Sequence, residues 1–236
     1  MARVQDSALA LAVDSAGGLG SLPCAMLNEQ TMNAEMAALQ AHCGRQFNAN
    51  FFAHAPISAD SGVLKQWHDL LAPYRAELGL SDDVVAPAAS REPFGAAAAN
   101  CVEIYRPAVV SFHFGLPEAD LLQRVRETGA TILASATTVE EARWLAERGG
   151  AAVIAQGLEA GGHRGHFLSA DVSLQSGTFA LLPQVVRAVD VPVIASGGIA
   201  DAAGAAAAHA LGAIAVQVGT AYLLCPEART SAIHRT

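Results

Sequence analysis

The sequence predicts an α/β fold of parallel strands, a TIM (β/α)8 barrel, on three observations. From residue 107 onward, apolar runs of strand length alternate with amphipathic helical stretches through short connections. That spacing produces parallel strands joined by right-handed crossovers. Polar, glycine-rich loops follow three successive strands, around Gly161-Gly162, Gly197-Gly198 and Gly219-Thr220. The last two could form a phosphate cradle of the kind barrels build after their seventh and eighth strands. Periodicity alone leaves a doubly wound sheet open, because seven strands can be counted and a barrel needs eight. The glycine placement favours the barrel, with the eighth strand preceding Met1.

Composition narrows the class. Apolar residues make up 52% of the 236 and charged residues only 15%, which suits a well-buried interior and argues against disorder. A net charge of −8, with no block of Lys or Arg, argues against nucleic acid and anionic membrane as partners. No apolar run reaches membrane-spanning length, and the first residues lack a basic-then-apolar signal pattern. Cys24, Cys43, Cys101 and Cys225 are scattered without a CxxC pair, which reads as reduced thiols in a cytoplasmic protein.

Taken in order, Asp6 to Ala16 carries apolar residues at helical spacing and stops at Gly17-Gly18. Leu19 to Leu22 is a short strand, and Asn28 to His42 is a helix closed by Gly44. Gln46 to Phe52 alternates and is aromatic, so it reads as a strand with Asn48 and Asn50 on one face. Residues 54–105 are looser, punctuated by Pro56, Pro73, Pro87 and Pro93, with helices at Ser61 to Leu78 and Phe94 to Tyr105. This segment reads as an insertion or lid within one domain spanning 1–236, because the regular pattern resumes directly after it.

Strands then follow at Pro107 to Phe114, Thr131 to Ser135, Ala151 to Ala155, Val191 to Ala195 and Ile214 to Val218. Helices alternate with them at Glu118 to Thr128, Thr138 to Arg148, Thr178 to Ala188 and Asp201 to Leu211. Thr137 and Thr138 before Glu140 and Glu141 form a capping pattern. Both ends look cut: no strand precedes the first helix, and Cys225 to Thr236 reads as the start of a helix.

The stretch Ala155-Gln-Gly-Leu-Glu-Ala-Gly-Gly-His-Arg-Gly-His-Phe167 concentrates the chemistry. Gly161 and Gly162 would free the backbone for unusual conformations and for close approach to a ligand. His163, directly after them, has three readings. It could be a general base or hydrogen-bond donor to a substrate, a structural histidine, or a metal ligand with His166, Glu159 or His113. No familiar zinc spacing supports the last, and the loop context favours the first.

Ser196-Gly197-Gly198 and Gly219-Thr220 each follow a strand and open a helix, where backbone amides bind phosphate. Tight strand-to-helix turns also want glycine, so it is the adjacency of the two loops that makes the signal. Glu159 is expected to hold the loop or its Arg164, with a structural ion pair favoured over general acid work. Asn50 either caps its strand or gives its amide to a heterocycle's edge. Gln156 and Gln217 each end a strand at the same mouth. Three carboxamides around a phosphate cradle suggest a flat, hydrogen-bonding cofactor such as a flavin. A dinucleotide is disfavoured, since no GxGxxG follows an early strand.

Ala155 to Gly165, with Pro192-Val-Ile-Ala-Ser-Gly-Gly-Ile-Ala-Asp201 and Leu211-Gly-Ala-Ile-Ala-Val-Gln-Val-Gly-Thr-Ala221, is similar to the nitronate monooxygenases, formerly 2-nitropropane dioxygenases. Ala16-Gly-Gly-Leu-Gly-Ser21 and Val110-Ser-Phe-His-Phe-Gly115 extend the resemblance from residue 1 to about 228. These are FMN-dependent TIM-barrel flavoenzymes. The resemblance implies a barrel lacking most of its first strand, with Met1-Ala2 as that strand's tail, and lacking the family's C-terminal helices.

It also implies FMN contacts at Asn50, Gln156, Gly161, Gly198, Gln217, Val218, Gly219 and Thr220, with the flanking Gly162 and Gly197 in the same loops, and His163 as the catalytic histidine. No metal is implied. The implied reaction takes an alkyl nitronate, such as propionate 3-nitronate, and O2 to a carbonyl compound and nitrite, with a homodimer open as the assembly. Two alternatives stand beside it: a flavin-dependent enoyl-ACP reductase using NADH, which shares Glu-Ala-Gly-Gly-His, and a non-catalytic flavin- or phosphate-binding protein.

Overall fold

The computed structural model describes residues 4–56, 60–81 and 92–235. Pro87 and the Met1-Ala2 tail lie outside the described residues. The chain opens with α1 (Ser7–Ser15), β1 (Gly20–Pro23), α2 (Glu29–Cys43) and β2 (Phe47–Phe52). Next come α3 (Ser61–Glu77), α4 (Ala96–Tyr105), β3 (Val109–His113) and α5 (Ala119–Glu127). They are followed by β4 (Thr131–Ala136), α6 (Val139–Glu147), β5 (Ala152–Gln156) and α7 (Thr178–Ala188). The last elements are β6 (Val193–Ser196), α8 (Ala202–Ala210), β7 (Ala215–Gln217) and the single-turn α9 (Ala232–Arg235).

The seven strands form one sheet in the order β1-β2-β3-β4-β5-β6-β7, and every neighbouring pair is parallel. A doubly wound sheet reverses its strand order at a switch point. This sheet never reverses, so the arrangement is that of a (β/α)8 barrel carrying seven strands among the described residues.

The period of two divides the strands between two layers. Leu22, Phe47, Ala49, Phe51, Val110, Phe112, Ala134, Val153, Ala155, Val193 and Ala195 face outward and join the helices in one large apolar core. Leu133, Ala152 and Ile154 face inward and form a second, small cluster with Val109 and Ile194. Burying each large side chain of the outer layer stabilises the fold by about 1.5–3 kcal/mol. The inner layer is too small to contribute comparably, and above it the inward positions are polar apart from Phe52 at the end of β2.

Caps set where the helices begin. Asn28 Oδ1 accepts from Thr31 N at 2.8 Å to start α2, and Thr138 Oγ1 accepts from Glu141 N at 3.2 Å to start α6. The segment read as an insertion divides in two. Helix α4 buries Ala98, Ala99, Cys101 and Val102 and serves as the crossover helix between β2 and β3. Helix α3 buries no residue, and Trp67, Leu70 and Tyr74 are all more than half exposed. No helix among the described residues is long and apolar enough to cross a membrane.

Candidate active site

All seven strands point their carboxyl ends at one rim, where barrels place their reactive groups. Beneath the rim runs a layer of inward polar side chains. Asn48 and Asn50 both donate to Ser111 Oγ, at 2.9 and 2.8 Å, and Asn48 also donates to Ser21 Oγ at 2.9 Å. Asn48 Oδ1, buried in this layer, has no hydrogen-bond partner among the described residues. On the other side of the barrel the register sets Gln156, Ser196 and Gln217 side by side on β5, β6 and β7.

The sequence reading treated His113 only as a metal ligand, and the structure gives it a different part. It ends β3 with 9% exposure, its Nδ1 3.1 Å from Ser135 Oγ and its Nε2 2.8 Å from the carbonyl oxygen of His163. A carbonyl can only accept, so Nε2 carries the proton and Nδ1 accepts from the Ser135 hydroxyl. Burial pushes the His113 pKa down to about 4, against the opposing pull of the His163 carbonyl. The ring is therefore neutral at pH 7 and holds one tautomer.

Gln156 completes this anchor. Its Nε2 donates to the same His163 carbonyl at 3.0 Å, and its Oε1 accepts from Gly165 N at 2.7 Å. The His163 backbone is thus fixed while its side chain is exposed at the rim. The imidazole meets Phe52 edge-on at 5.1 Å between centroids and Phe114 at 6.0 Å. Phe114 itself sits at φ 69°, a left-handed conformation that a bulky residue rarely adopts.

The three glycine loops meet on the β5–β7 side. A Cβ built on Gly161 would lie 2.7 Å from Thr220 Oγ1, and one on Gly198 would lie 3.2 Å from Glu159 Cβ. Gly197 and Gly198 take φ of 105° and 70°, which only glycine adopts freely. Gly161, Gly197, Gly198 and Thr220 therefore share one part of the rim. Asn50 stands three strands from Gln156, with its amide on Ser111.

Four details differ from the sequence expectations. Gly161 and Gly162 do not take positive φ; Gly161 is needed because Thr220 presses on it, and Gly162 faces open space. Gly197-Gly198 does not open a helix directly, because α8 starts at Ala202 and is capped by Asp201, whose Oδ1 accepts from Gly204 N at 2.7 Å. Gly219-Thr220 opens a short 3₁₀ turn, Thr220–Leu224, without a side-chain cap.

The fourth concerns Glu159, which holds the loop as one of its two readings had it, and not through the favoured ion pair with Arg164. Its carboxylate takes Thr178 N at 2.8 and 3.0 Å and Thr178 Oγ1 at 2.9 Å, tying the β5 loop to the start of α7. Burial works to raise its pKa, but these bonds and its own amide outweigh that and hold it below the usual carboxylate value. Arg164 instead donates to Gln175 Oε1 at 3.3 Å. With Glu159 and His113 both engaged, no group of three His, Cys, Asp or Glu among the described residues is placed to hold a metal.

Donors without protein acceptors gather at the glycine loops. Among the described residues, the N–H groups of Gly198, Ile199, Thr220 and Ala221 donate no hydrogen bond within the protein. Ile199 is 6% exposed, and with Gly198 its amide is available to an acceptor from outside the chain. An oxyanion such as a phosphate suits such a set of backbone donors.

Comparison with known proteins agrees with this geometry. The profile of the nitronate monooxygenase family matches residues 1–236. A nitronate monooxygenase of Paraburkholderia phytofirmans is 42% identical over 232 residues, covering 96% of this chain and 62% of the relative. One from Pseudomonas aeruginosa is 38% identical, covering 100% of this chain and 67% of the relative. The chain thus spans somewhat under or about two-thirds of the length of these relatives.

Among solved structures, the nitroalkane oxidase of Streptomyces ansochromogenes superposes with a TM-score of 0.88 at 38% identity, covering all of this chain and 67% of that one. FabK of Thermotoga maritima gives 0.71 at 28% identity, covering all of this chain and 60% of that one. Sequential parallel strands, a rim of converging glycine loops and a match over the full sequence together make this chain a member of the nitronate monooxygenase family.

Proposed function

We propose that this chain binds FMN at the β5–β7 rim and oxidises alkyl nitronates, with propionate 3-nitronate as the representative substrate, to a carbonyl compound and nitrite at the expense of O2. The carrying observation is that Gly161 packs on Thr220 while Gly197 and Gly198 fold against the same β5 loop. That brings the amides of Gly198, Ile199, Thr220 and Ala221, which have no acceptor among the described residues, to one part of the rim. The donor set fits the phosphate of FMN, with Gly219 and Val218 in the same loop and Gly162 open to solvent beside it. When bound, FMN supplies the electron acceptance and the reaction with oxygen that no side chain here can provide.

The chain's own residues then have defined tasks. Gln217 ends β7 below the loops, with Ser196 of β6 between it and Gln156 of β5, and offers its carboxamide toward a heteroaromatic edge, while the carboxamide of Gln156 holds the His163 carbonyl and Gly165 N beside it. Asn50 is the third carboxamide on the inner face. His163 presents an imidazole at the rim, on a backbone held by His113 and Gln156. It orients the anionic nitronate, or takes the α-proton when a neutral nitroalkane is offered. Phe52 and Phe114 exclude water from one side of that ring. Four free thiols agree with a reducing cytoplasm.

The test is an absorbance spectrum of the purified chain with FMN, before and after propionate 3-nitronate in air, with nitrite assayed. A flavin spectrum bleached by nitronate, with nitrite formed, supports the reading. A protein that stays colourless with FMN overturns it, and rapid bleaching by NADH instead points to the reductase. Replacing His163 by Ala should lower turnover of neutral nitroalkanes by roughly 10²–10⁴-fold, the usual loss on removing a general base, and of preformed nitronates far less. Equal loss on both would leave His163 a binding role only.

A further inference from the structure

Glu141 makes more hydrogen bonds than a helix cap needs. It is the third residue of α6, where a Glu commonly reaches back to a backbone amide preceding the helix. Here Oε2 does so, accepting from Thr137 N at 2.7 Å and Thr137 Oγ1 at 2.8 Å. The other oxygen points to a different part of the chain. Oε1 accepts from Phe167 N at 2.6 Å and Leu168 N at 3.2 Å, 26 and 27 residues away in sequence. The whole residue is 1% exposed, so the carboxylate is sealed from water with both oxygens doubly bonded.

Those two amides lie at the far end of the His163 loop. At its near end His113 and Gln156 hold the His163 carbonyl, and Gln156 also holds Gly165 N. Glu141 supplies the second anchor, so the arc from His163 to Leu168 is fixed on both sides. Helix α6 grips the same end a second time, through Trp144, whose indole meets the Phe167 ring at 5.1 Å and 65°. Phe167 in turn lies against Gly115, where an added Cβ would come within 3.3 Å of its ring.

We propose that Glu141 is a positioning residue for His163, setting the loop from the helix layer behind it; this rests on the role given to His163 above. The geometry also explains why the group is a carboxylate. Three N–H groups and one O–H converge on it, so all of its lone pairs must accept. A glutamine offers one oxygen and turns an NH2 toward either Thr137 N or the Phe167 and Leu168 amides, donor against donor.

The experiment compares Glu141→Gln with Thr138→Ala, which removes the cap of the same helix without touching the loop. Two readouts do not depend on turnover: amide hydrogen exchange at Phe167 and Leu168, and the titration midpoint of the His163 ring followed by NMR, with His42 and His209 as references. Glu141→Gln is expected to speed exchange at both amides by about tenfold or more and to move the His163 midpoint, while Thr138→Ala does neither. Nitronate turnover, measured in parallel, should fall in kcat with little change in KM.

If Glu141→Gln only lowers Tm as Thr138→Ala does, and leaves exchange and midpoint unchanged, Glu141 is a cap and the proposal fails. Should Glu141→Gln not fold, Glu141→Asp carries the same test, because it keeps the charge but shortens the reach to Phe167. If the midpoint moves in a protein that forms no nitrite, the positioning role stands and the nitronate reading falls.

Discussion

Ser111 and Phe112 are neighbours on β3 and point to opposite sides of the sheet, and both are fully buried. Phe112 packs edge-on against Phe94 at 5.2 Å and near Phe51 at 6.4 Å, inside the large outer core. Ser111 faces inward and takes hydrogen bonds from Asn48 and Asn50. The pairing repeats along the barrel: Ala155 with Gln156, Ala195 with Ser196. One set of strands thus stabilises the molecule with its outer face and arranges chemistry with its inner one. Changes on the two faces should therefore separate in experiment.

The largest effect is expected outside. Replacing Phe112 by Ala removes a ring from a close-packed layer and should cost about 3–5 kcal/mol in denaturant-induced unfolding. A cost below about 1 kcal/mol would mean that the outer layer is looser than the burial indicates and would break the comparison.

His113 tests the inner face through pH. Its proton binds the unfolded chain near the ordinary value of 6.5 and the folded chain only near 4. Its contribution to stability is therefore full above 6.5 and is lost as pH falls toward 4, below which both states are protonated. The loss over that window is on the order of 3 kcal/mol. Urea midpoints measured between pH 7.5 and 4 should show this slope, and His113→Gln, which keeps a donor and an acceptor but does not titrate, should flatten it. A slope unchanged by the substitution would place the acid sensitivity elsewhere.

How much of this could be read from residue order depends on the range of each interaction. Every strand and helix core was legible, because period two and period 3.6 are local signals. Strand order was legible only indirectly, through the glycines after successive strands. For Glu159 the residue order offers the loop or Arg164, five residues away, and it does hold the loop, but through Thr178, brought close by the turn into α7. The capping role of Glu141 was visible in Thr137-Thr138 ahead of it, but its grip on Phe167 was not, since nothing local links residues 26 apart. The glycines were read as room for a ligand, and at Gly161 and Gly198 the room is taken first by neighbouring loops. His113 could have been found by counting inward positions along β3, where it follows Ser111 by two.

Smaller effects sharpen the boundary between packing and binding. Lys65 and Asp69 form an exposed i,i+4 ion pair on α3, and Asp69→Asn should leave the unfolding midpoint nearly unchanged, the more so in high salt. A larger change would show that α3 has packing the exposures do not reveal.

Gly161 and Gly162 give the finest division, because they are adjacent and differ in one respect. An alanine at 161 would place its Cβ 2.7 Å from Thr220 Oγ1, so the Thr220 side chain must turn aside or the β5 and β7 loops must shift. That should cost about 1–3 kcal/mol of stability and weaken FMN together with it. An alanine at 162 would meet nothing within 4 Å, and the residue does not need a positive φ. Stability should stay within about 0.5 kcal/mol of the parent. Any loss of FMN affinity in Gly162→Ala then comes from the methyl group standing between backbone and ligand, which a flavin titration at constant Tm isolates. A tenfold weakening would put the cofactor against this stretch of backbone. An unchanged affinity would remove Gly162 from the proposed site and leave the grip to Gly198, Ile199, Thr220 and Ala221, whose amides have no acceptor among the described residues.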